Sequence, residues 1–133
     1  MAEHPDWPLV EITAGTPELA GFAWQMIEGM PKVQEQVFLH RASRTLLLAD
    51  ALFNVPSPRG ALARFVSWAA DIGGAPPRQS RFGRLHVRDR AAFIASVRAV
   101  AAWDFERIVP GHGDVIERDG PRVWREAFRA LGG

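Results

Sequence analysis

The stretch Arg107-Ile108-Val109-Pro110-Gly111-His112-Gly113-Asp114 decides the fold. Its β-branched residues predict a short strand over residues 106–109, and the proline predicts where pairing of that strand ends. The glycines on both sides of His112 let the backbone turn tightly while a single imidazole is presented. Because α/β proteins place functional groups on turns that follow strands, this stretch predicts both a strand of an α/β sheet and a site residue.

Segments earlier in the chain carry strand patterns, namely residues 9–12, 22–27, 36–40 and 45–50. Residues 22–27 are also compatible with a helix, but their aromatic content and the glycine and proline that follow favour a strand. The four residues 41–44 are expected to join the last two segments as a hairpin. The apolar run 46–49 does not alternate, so it predicts burial on both faces of the sheet.

Three helices are predicted from apolar residues at helical spacing. The first begins at Ser57-Pro58, an N-cap followed by proline, and ends at Gly73-Gly74. Residues 75–88 are predicted as a loop with a possible short strand near its end. Asp89 is predicted to cap the second helix, and Asp119-Gly120-Pro121 to begin the last. The stripes expected to face the core are Leu62, Phe65, Val66, Ala69 and Ile72, then Phe93, Ile94, Val97, Val100 and Ala101, then Val123, Trp124, Ala127, Phe128 and Leu131.

Composition places the chain among single-domain globular proteins. Its 133 residues are 47% hydrophobic and 23% charged, enough for one core. Residues 1–8 are expected to form a loose N-terminal segment and residues 9–133 the domain. The net charge is only +1, so the sequence does not predict a protein that binds nucleic acid. The sequence has no cysteine, no signal-peptide pattern and no apolar run that would cross a membrane, so a cytoplasmic protein is expected.

Two parts of the chain together resemble a known family. Residues 44–50, taken with residues 105–113, resemble the second half of the metallo-β-lactamase fold. Residues 35–54 and 103–120 are more closely similar to its uncharacterised DUF4336 branch, with a Glu, His-Arg, Ser-Arg-Thr-Leu and Asp pattern. The resemblance covers roughly residues 20–131. It implies half of an αββα sandwich, with one mixed sheet of about five strands and helices on one face.

The resemblance also implies a metal site. Metal-binding members of this fold use an aspartate after such a strand and a histidine on the late Pro-Gly-His turn, which makes Asp50 the bridging ligand and His112 the terminal ligand. Carboxylate and imidazole groups suit zinc, iron or manganese. Glu35 and His40 are weaker candidates for further metal ligands, and Asp114 is a candidate to orient the turn through hydrogen bonds.

The family's His-x-His-x-Asp-His signature is absent, and Glu28-Gly29-Met30-Pro31 stands where another Pro-Gly-His turn is usual. Two ligands are fewer than the three or four that hold a catalytic metal. Three functions therefore stay open. They are a truncated or degenerate metallo-β-lactamase-fold protein without a complete metal site, a metal-dependent hydrolase completed by a dimer partner or a missing N-terminal half, and a non-catalytic interaction module.

Two surfaces are candidates for contact with partners. The apolar strand around Leu46 needs cover on both faces, so the sheet is expected to expose an apolar face that a second copy or another protein covers.

The arginine-rich residues 78–90 contain a single acid, Asp89. Arg81, Arg84 and Arg88 are therefore candidates to bind an anion, with a solvated loop as the alternative.

Overall fold

Four short strands form the sheet in residues 19–132, the part of the chain that the computed structural model describes. They are β1 (Phe22–Met26), β2 (Gln36–His40), β3 (Thr45–Leu47) and β4 (Arg107–Val109). The strand order is β1-β2-β3-β4, with antiparallel pairing up to β3 and parallel pairing of β3 with β4. The predicted α/β class with one mixed sheet is confirmed, and in the described residues the sheet is open and has four strands. The strand predicted at residues 9–12 lies outside the described residues.

The strand register separates the sheet into a buried face and a partly exposed face. Cross-strand partners point to the same side. One row, formed by Ala23, Leu39, Leu46 and Ile108, belongs to the core, and both Leu46 and Ile108 are fully buried. The row on the opposite face is apolar but only half-buried, and it consists of Trp24, Phe38, Leu47 and Val109. The expectation that residues 46–49 are buried on both faces is wrong at Leu47, which is only half-buried. It is also wrong at Ala49, because β3 ends at Leu47 and Ala49 lies on an exposed turn.

Helix α3 (Arg90–Ala101) covers the buried face of the sheet. Its predicted N-cap is confirmed, since the Asp89 carboxylate accepts a hydrogen bond from the backbone N–H of Ala92 at 3.0 Å. Gln25 of β1 donates through Nε2 to the Ser96 carbonyl at 3.0 Å and so connects the sheet to α3. Phe93, Val97 and Val100 of the predicted stripe are buried in the core.

Helix α4 (Gly120–Phe128) packs against α3 at the position that the sequence predicts, and a 3₁₀ turn follows at Arg129–Leu131. Trp124 is fully buried, and its indole Nε1 donates to the Val97 carbonyl at 2.9 Å. Burying a tryptophan requires a partner for its N–H, which α3 supplies. Phe128 stands 4.7 Å from the Trp124 ring, centroid to centroid, and completes this part of the core.

Helix α1 (Ala61–Ala70) differs from its prediction in both boundary and burial. Gly60 rather than Ser57 precedes the helix, and Asp71 ends it in a left-handed conformation. Leu62 is 77% exposed and Phe65 is 62% exposed, so the predicted stripe does not face the core. Helical spacing shows only that apolar side chains share a face, and it does not show what packs on that face.

Helix α2 (Arg81–His86) occupies part of the predicted loop, so the loop and its possible strand are wrong there. Ser80 begins it, because its hydroxyl accepts a hydrogen bond from the Gly83 N–H at 3.0 Å. A glycine in the middle of so short a helix hides the helical pattern from sequence reasoning. Within residues 19–132, no helix has the length and apolar character needed to cross a membrane.

Candidate functional site

Asp50 and His112 meet where two parallel strands end. Asp50 follows β3 and His112 follows β4, and the carboxyl ends of parallel strands lie at the same edge of a sheet. The His112 Nε2 atom lies 3.2 Å from the Asp50 Oδ1 atom. The two side chains are 61% and 58% exposed, so both groups are open to solvent. The structure thus brings together the two residues that the resemblance assigns to one site.

The two glycines beside His112 let its turn approach two neighbouring segments closely, the Asp50 turn at Gly111 and Asn54 at Gly113. The Gly111 N–H donates to the Ala49 carbonyl at 3.1 Å, and a Cβ at Gly111 would stand 2.5 Å from that oxygen. Gly113 has a φ of +98°, and a Cβ there would stand 1.9 Å from the Asn54 carbonyl oxygen. Only glycine fits both positions, because neither backbone contact leaves room for a side chain.

Asn54 and Phe53 secure the His112 turn from the other side. The Asn54 side-chain amide donates to the Asp114 carbonyl at 2.8 Å, and the Asp114 N–H donates to the Asn54 carbonyl at 2.7 Å. The Phe53 ring stacks on the His112 imidazole with centroids 5.3 Å apart and ring planes 6° apart. Sequence reasoning missed Phe53 and Asn54, since neither forms a pattern with the distant glycine turn.

Glu35 is buried beneath the Asp50 turn, only 4% exposed. One carboxylate oxygen accepts the Ala49 N–H at 2.9 Å, and the other accepts the Asp50 N–H at 3.0 Å. A carboxylate that accepts backbone N–H groups makes strong, charge-assisted hydrogen bonds. These contacts are those of a residue that positions Asp50. The metal-ligand role suggested for Glu35 stays a prediction.

His40, the second of the weaker ligand candidates, lies apart from the Asp50–His112 pair. His40 pairs with Thr45 at the start of β3, whereas Asp50 follows the end of that strand, so His40 belongs to the opposite end of the sheet. Its Nδ1 is 2.7 Å from the Ser43 hydroxyl. The structure therefore does not bring His40 to the site. Asp114 is held through its backbone, as described above, and a role for its carboxylate in orienting the turn stays a prediction.

Two arginines of residues 78–90 have an acidic partner outside that stretch. Asp71, at the end of α1, makes an ion pair with Arg84 and a second with Arg78 at 3.2 Å. Arg84 also donates to the Gln79 carbonyl at 2.6 Å, so its guanidinium is already occupied. Arg81 and Arg88 are exposed, and anion binding by them stays a prediction. The hydrogen bond from Arg84 lowers the pKa of Asp71 below its ordinary value of 3.8, with a smaller contribution from Arg78.

We expect Asp71→Asn to lower the free energy of unfolding by about 1 kcal/mol at neutral pH. The effect is small because the Asp71 side chain is 35% exposed, so solvent screens its ion pairs. Since folding lowers the pKa of Asp71, the carboxylate contributes stability above pH 3.8 and loses it as the pH falls through the folded-state pKa. Urea unfolding at several pH values measures this. The difference between variant and wild type should shrink below pH 3.8. A constant difference across that range would contradict the ion-pair assignment.

The metal-binding capacity of the site is limited by ligand number. Asp50 and His112 offer the right donor chemistry for zinc, iron or manganese. Among residues 19–132, however, no group of three or more His, Cys, Asp and Glu side chains is placed to hold a metal ion. The part of the chain that the structure describes therefore does not fit a catalytic metal by itself, and no hydrolytic step is assigned to it.

Asp50 also borders an apolar cleft of about 200 Å³ between the Asp50 turn, the end of α1 and helix α2. Glu35 and Phe53 line the same cleft. The Asp50–His112 pair is thus next to a concave, mainly apolar surface.

Comparison with known proteins adds no relative. No family model matches the chain. No curated protein matches it either. The resemblance to the second half of the metallo-β-lactamase fold therefore rests on the quoted residues alone.

Proposed function

We propose that this chain is a metallo-β-lactamase-like half-fold that carries a two-ligand half-site for a divalent transition metal. The observation that carries the proposal is the 3.2 Å approach of His112 Nε2 to Asp50 Oδ1 at the shared carboxyl end of β3 and β4. The other ligands come from outside residues 19–132, either from the rest of this chain or from a partner. By itself the half-site binds metal without hydrolysing substrate, because a catalytic metal needs three protein ligands.

The fixed backbone of both turns supports this proposal. Two hydrogen bonds to Glu35 hold the Asp50 turn, and the glycine contacts hold the His112 turn against it. Ligands that are already in place lose little entropy when a metal binds. A hydrolase completed by a dimer partner or by a missing N-terminal half uses the same pair, and it stays the alternative. The interaction module also stays a prediction.

Zinc titration by calorimetry tests the half-site. We expect wild-type protein to bind Zn²⁺ weakly, and His112→Ala to lose affinity by roughly tenfold or more because one of two ligands is gone. Asp50→Asn should weaken binding in the same direction. His40→Ala is the matched control, since it removes a histidine from the opposite end of the sheet and should leave the affinity unchanged.

The proposal fails if zinc binding is unchanged in His112→Ala, or if His40→Ala weakens it as much. Absence of zinc binding by the wild-type protein at millimolar metal would also contradict it. Circular dichroism of each variant checks that the fold is retained.

A further inference from the structure

Helix α1 presents an apolar face that the described part of the chain does not cover. Ser67 is the only residue of this helix that is buried, so little of the helix packs against the domain. Four large apolar side chains on it are half exposed or more, namely Leu62, Phe65, Val66 and Trp68. The Phe65 and Trp68 rings lie together, with centroids 6.0 Å apart. A cluster of this kind on a surface indicates that something else binds there.

Helix α2 extends the same apolar region. Asp71, which ends α1, makes an ion pair with Arg84 of α2 and so joins the two helices. Phe82 and Leu85 of α2 are both mostly exposed. Six of the seven large apolar side chains that are exposed in residues 19–132 therefore belong to α1 and α2. Apolar exposure is concentrated in this one part of the chain.

The same part of the chain is strongly basic. Residues 55–88 contain six arginines and one aspartate, whereas the whole chain has a net charge of only +1, so the remainder is net negative. The aspartate is already paired with two of the arginines. The other four are exposed and make no ion pair within residues 19–132, and they are Arg59, Arg64, Arg81 and Arg88. Arg64 lines a shallow groove together with the Phe65 and Trp68 side chains. A partner of this surface therefore needs negative charge as well as apolar groups.

We propose that α1 and α2 bind the surface of an anionic phospholipid membrane, with the apolar side chains among the headgroups and the arginines on lipid phosphates. Helices that lie in this interface combine Trp, Phe and Leu with cationic side chains. Helix α1 has ten residues, fewer than a bilayer span needs, so it lies in the plane of the interface. A second copy is disfavoured, because matching faces would set arginine against arginine. Nucleic acid supplies negative charge and stacking bases, but no apolar partner for Leu62 and Leu85.

Co-sedimentation with vesicles tests this surface. Vesicles of equal parts phosphatidylglycerol and phosphatidylcholine are compared with vesicles of phosphatidylcholine alone. A chelator is present throughout, so that the metal half-site plays no part, and His112→Ala should bind vesicles as the wild-type protein does. We expect binding to the anionic vesicles, binding at least about tenfold weaker to the neutral ones, and loss of affinity as salt is raised.

Matched variants separate the apolar contribution from the charge. Trp68→Ser should weaken binding to anionic vesicles by roughly tenfold, because its indole is lost from the interface. Val115→Ser changes an exposed apolar side chain away from these helices and should leave binding unchanged. Arg64→Gln should weaken binding by roughly fivefold. Arg125→Gln makes the same charge change at an exposed position of α4 and should have a smaller effect.

Several results would overturn the proposal. They are no binding of wild-type protein to anionic vesicles, equal binding to both kinds of vesicle, and unweakened binding of Trp68→Ser. If Trp68→Ser does not fold, Leu62→Ser repeats the test at another exposed position. A dimer that Trp68→Ser dissociates, without vesicle binding, would assign the surface to a second copy instead. Binding of a single-stranded oligonucleotide without vesicle binding would assign it to nucleic acid.

Discussion

Gly113→Ala is expected to destabilise the protein by about 3 kcal/mol and to move the His112 turn away from Asp50. A Cβ at this position would lie 1.9 Å from the Asn54 carbonyl oxygen, so the two backbones must separate. The φ of +98° adds strain for any residue with a side chain. Separation also breaks the contact between Asp114 N–H and the Asn54 carbonyl, now 2.7 Å. Urea unfolding measures the loss of stability, and zinc titration measures the loss of the half-site.

Gly74→Ala is the matched control for the steric part of this prediction. Gly74 has a φ of +82°, but a Cβ there meets no atom within 4 Å. We therefore expect only the cost of the backbone conformation, about 1 kcal/mol, and no change in zinc affinity. Equal losses of stability in Gly113→Ala and Gly74→Ala would contradict the claim that Gly113 is needed for the close approach of the His112 turn to Asn54.

Glu35→Ala is expected to destabilise the protein by about 3 kcal/mol, because two backbone N–H groups lose a charged acceptor. Both groups, at Ala49 and Asp50, belong to the turn that presents the Asp50 carboxylate. A cavity beside Met30 and Val33 adds to the cost, since these residues line the same cleft. The variant should also bind zinc more weakly, because Asp50 is then presented on a looser turn.

Hydrogen exchange distinguishes a positioning role for Glu35 from a general effect of removing a buried residue. In Glu35→Ala the amides of Ala49 and Asp50 should exchange faster than the neighbouring core amides, such as that of Leu46. Glu117→Ala is the control, since the Glu117 ion pair with Arg107 is exposed and its removal should change stability by well under 1 kcal/mol. Unchanged protection at Ala49 and Asp50 would contradict the assignment.

Local sequence signals predicted the elements that pack in the core. Strands β1, β2 and β4, the Asp89 cap of α3 and the buried stripe of α4 follow from β-branched runs, a capping aspartate and helical spacing. Helix α1 shows the limit of this reasoning. Its apolar spacing is as regular as that of α3, but Leu62 remains exposed because burial depends on the neighbours that the fold provides.

The candidate site was only partly accessible to sequence reasoning. Asp50 and His112 were identified through the resemblance, and the glycines marked the turn. The stacking of Phe53 on His112 and the ion pair of Asp71 with Arg84 depend on contacts between separate segments of the chain. No single-sequence pattern encodes those contacts. The two hydrogen bonds of Glu35 to the Asp50 turn likewise appear only in the folded chain.

Imidazole NMR during zinc addition tests the central claim most directly, since it observes the half-site atom by atom. We predict that the ring nitrogen signals of His112 shift together with the backbone amide of Asp50, while the ring signals of His40 and His86 stay in place. In both of those histidines Nδ1 has a hydrogen-bond partner, the Ser43 hydroxyl for His40 and the Phe82 carbonyl for His86. Shifts at His40 or His86 without a shift at His112, or no imidazole shift at saturating zinc, would contradict the account.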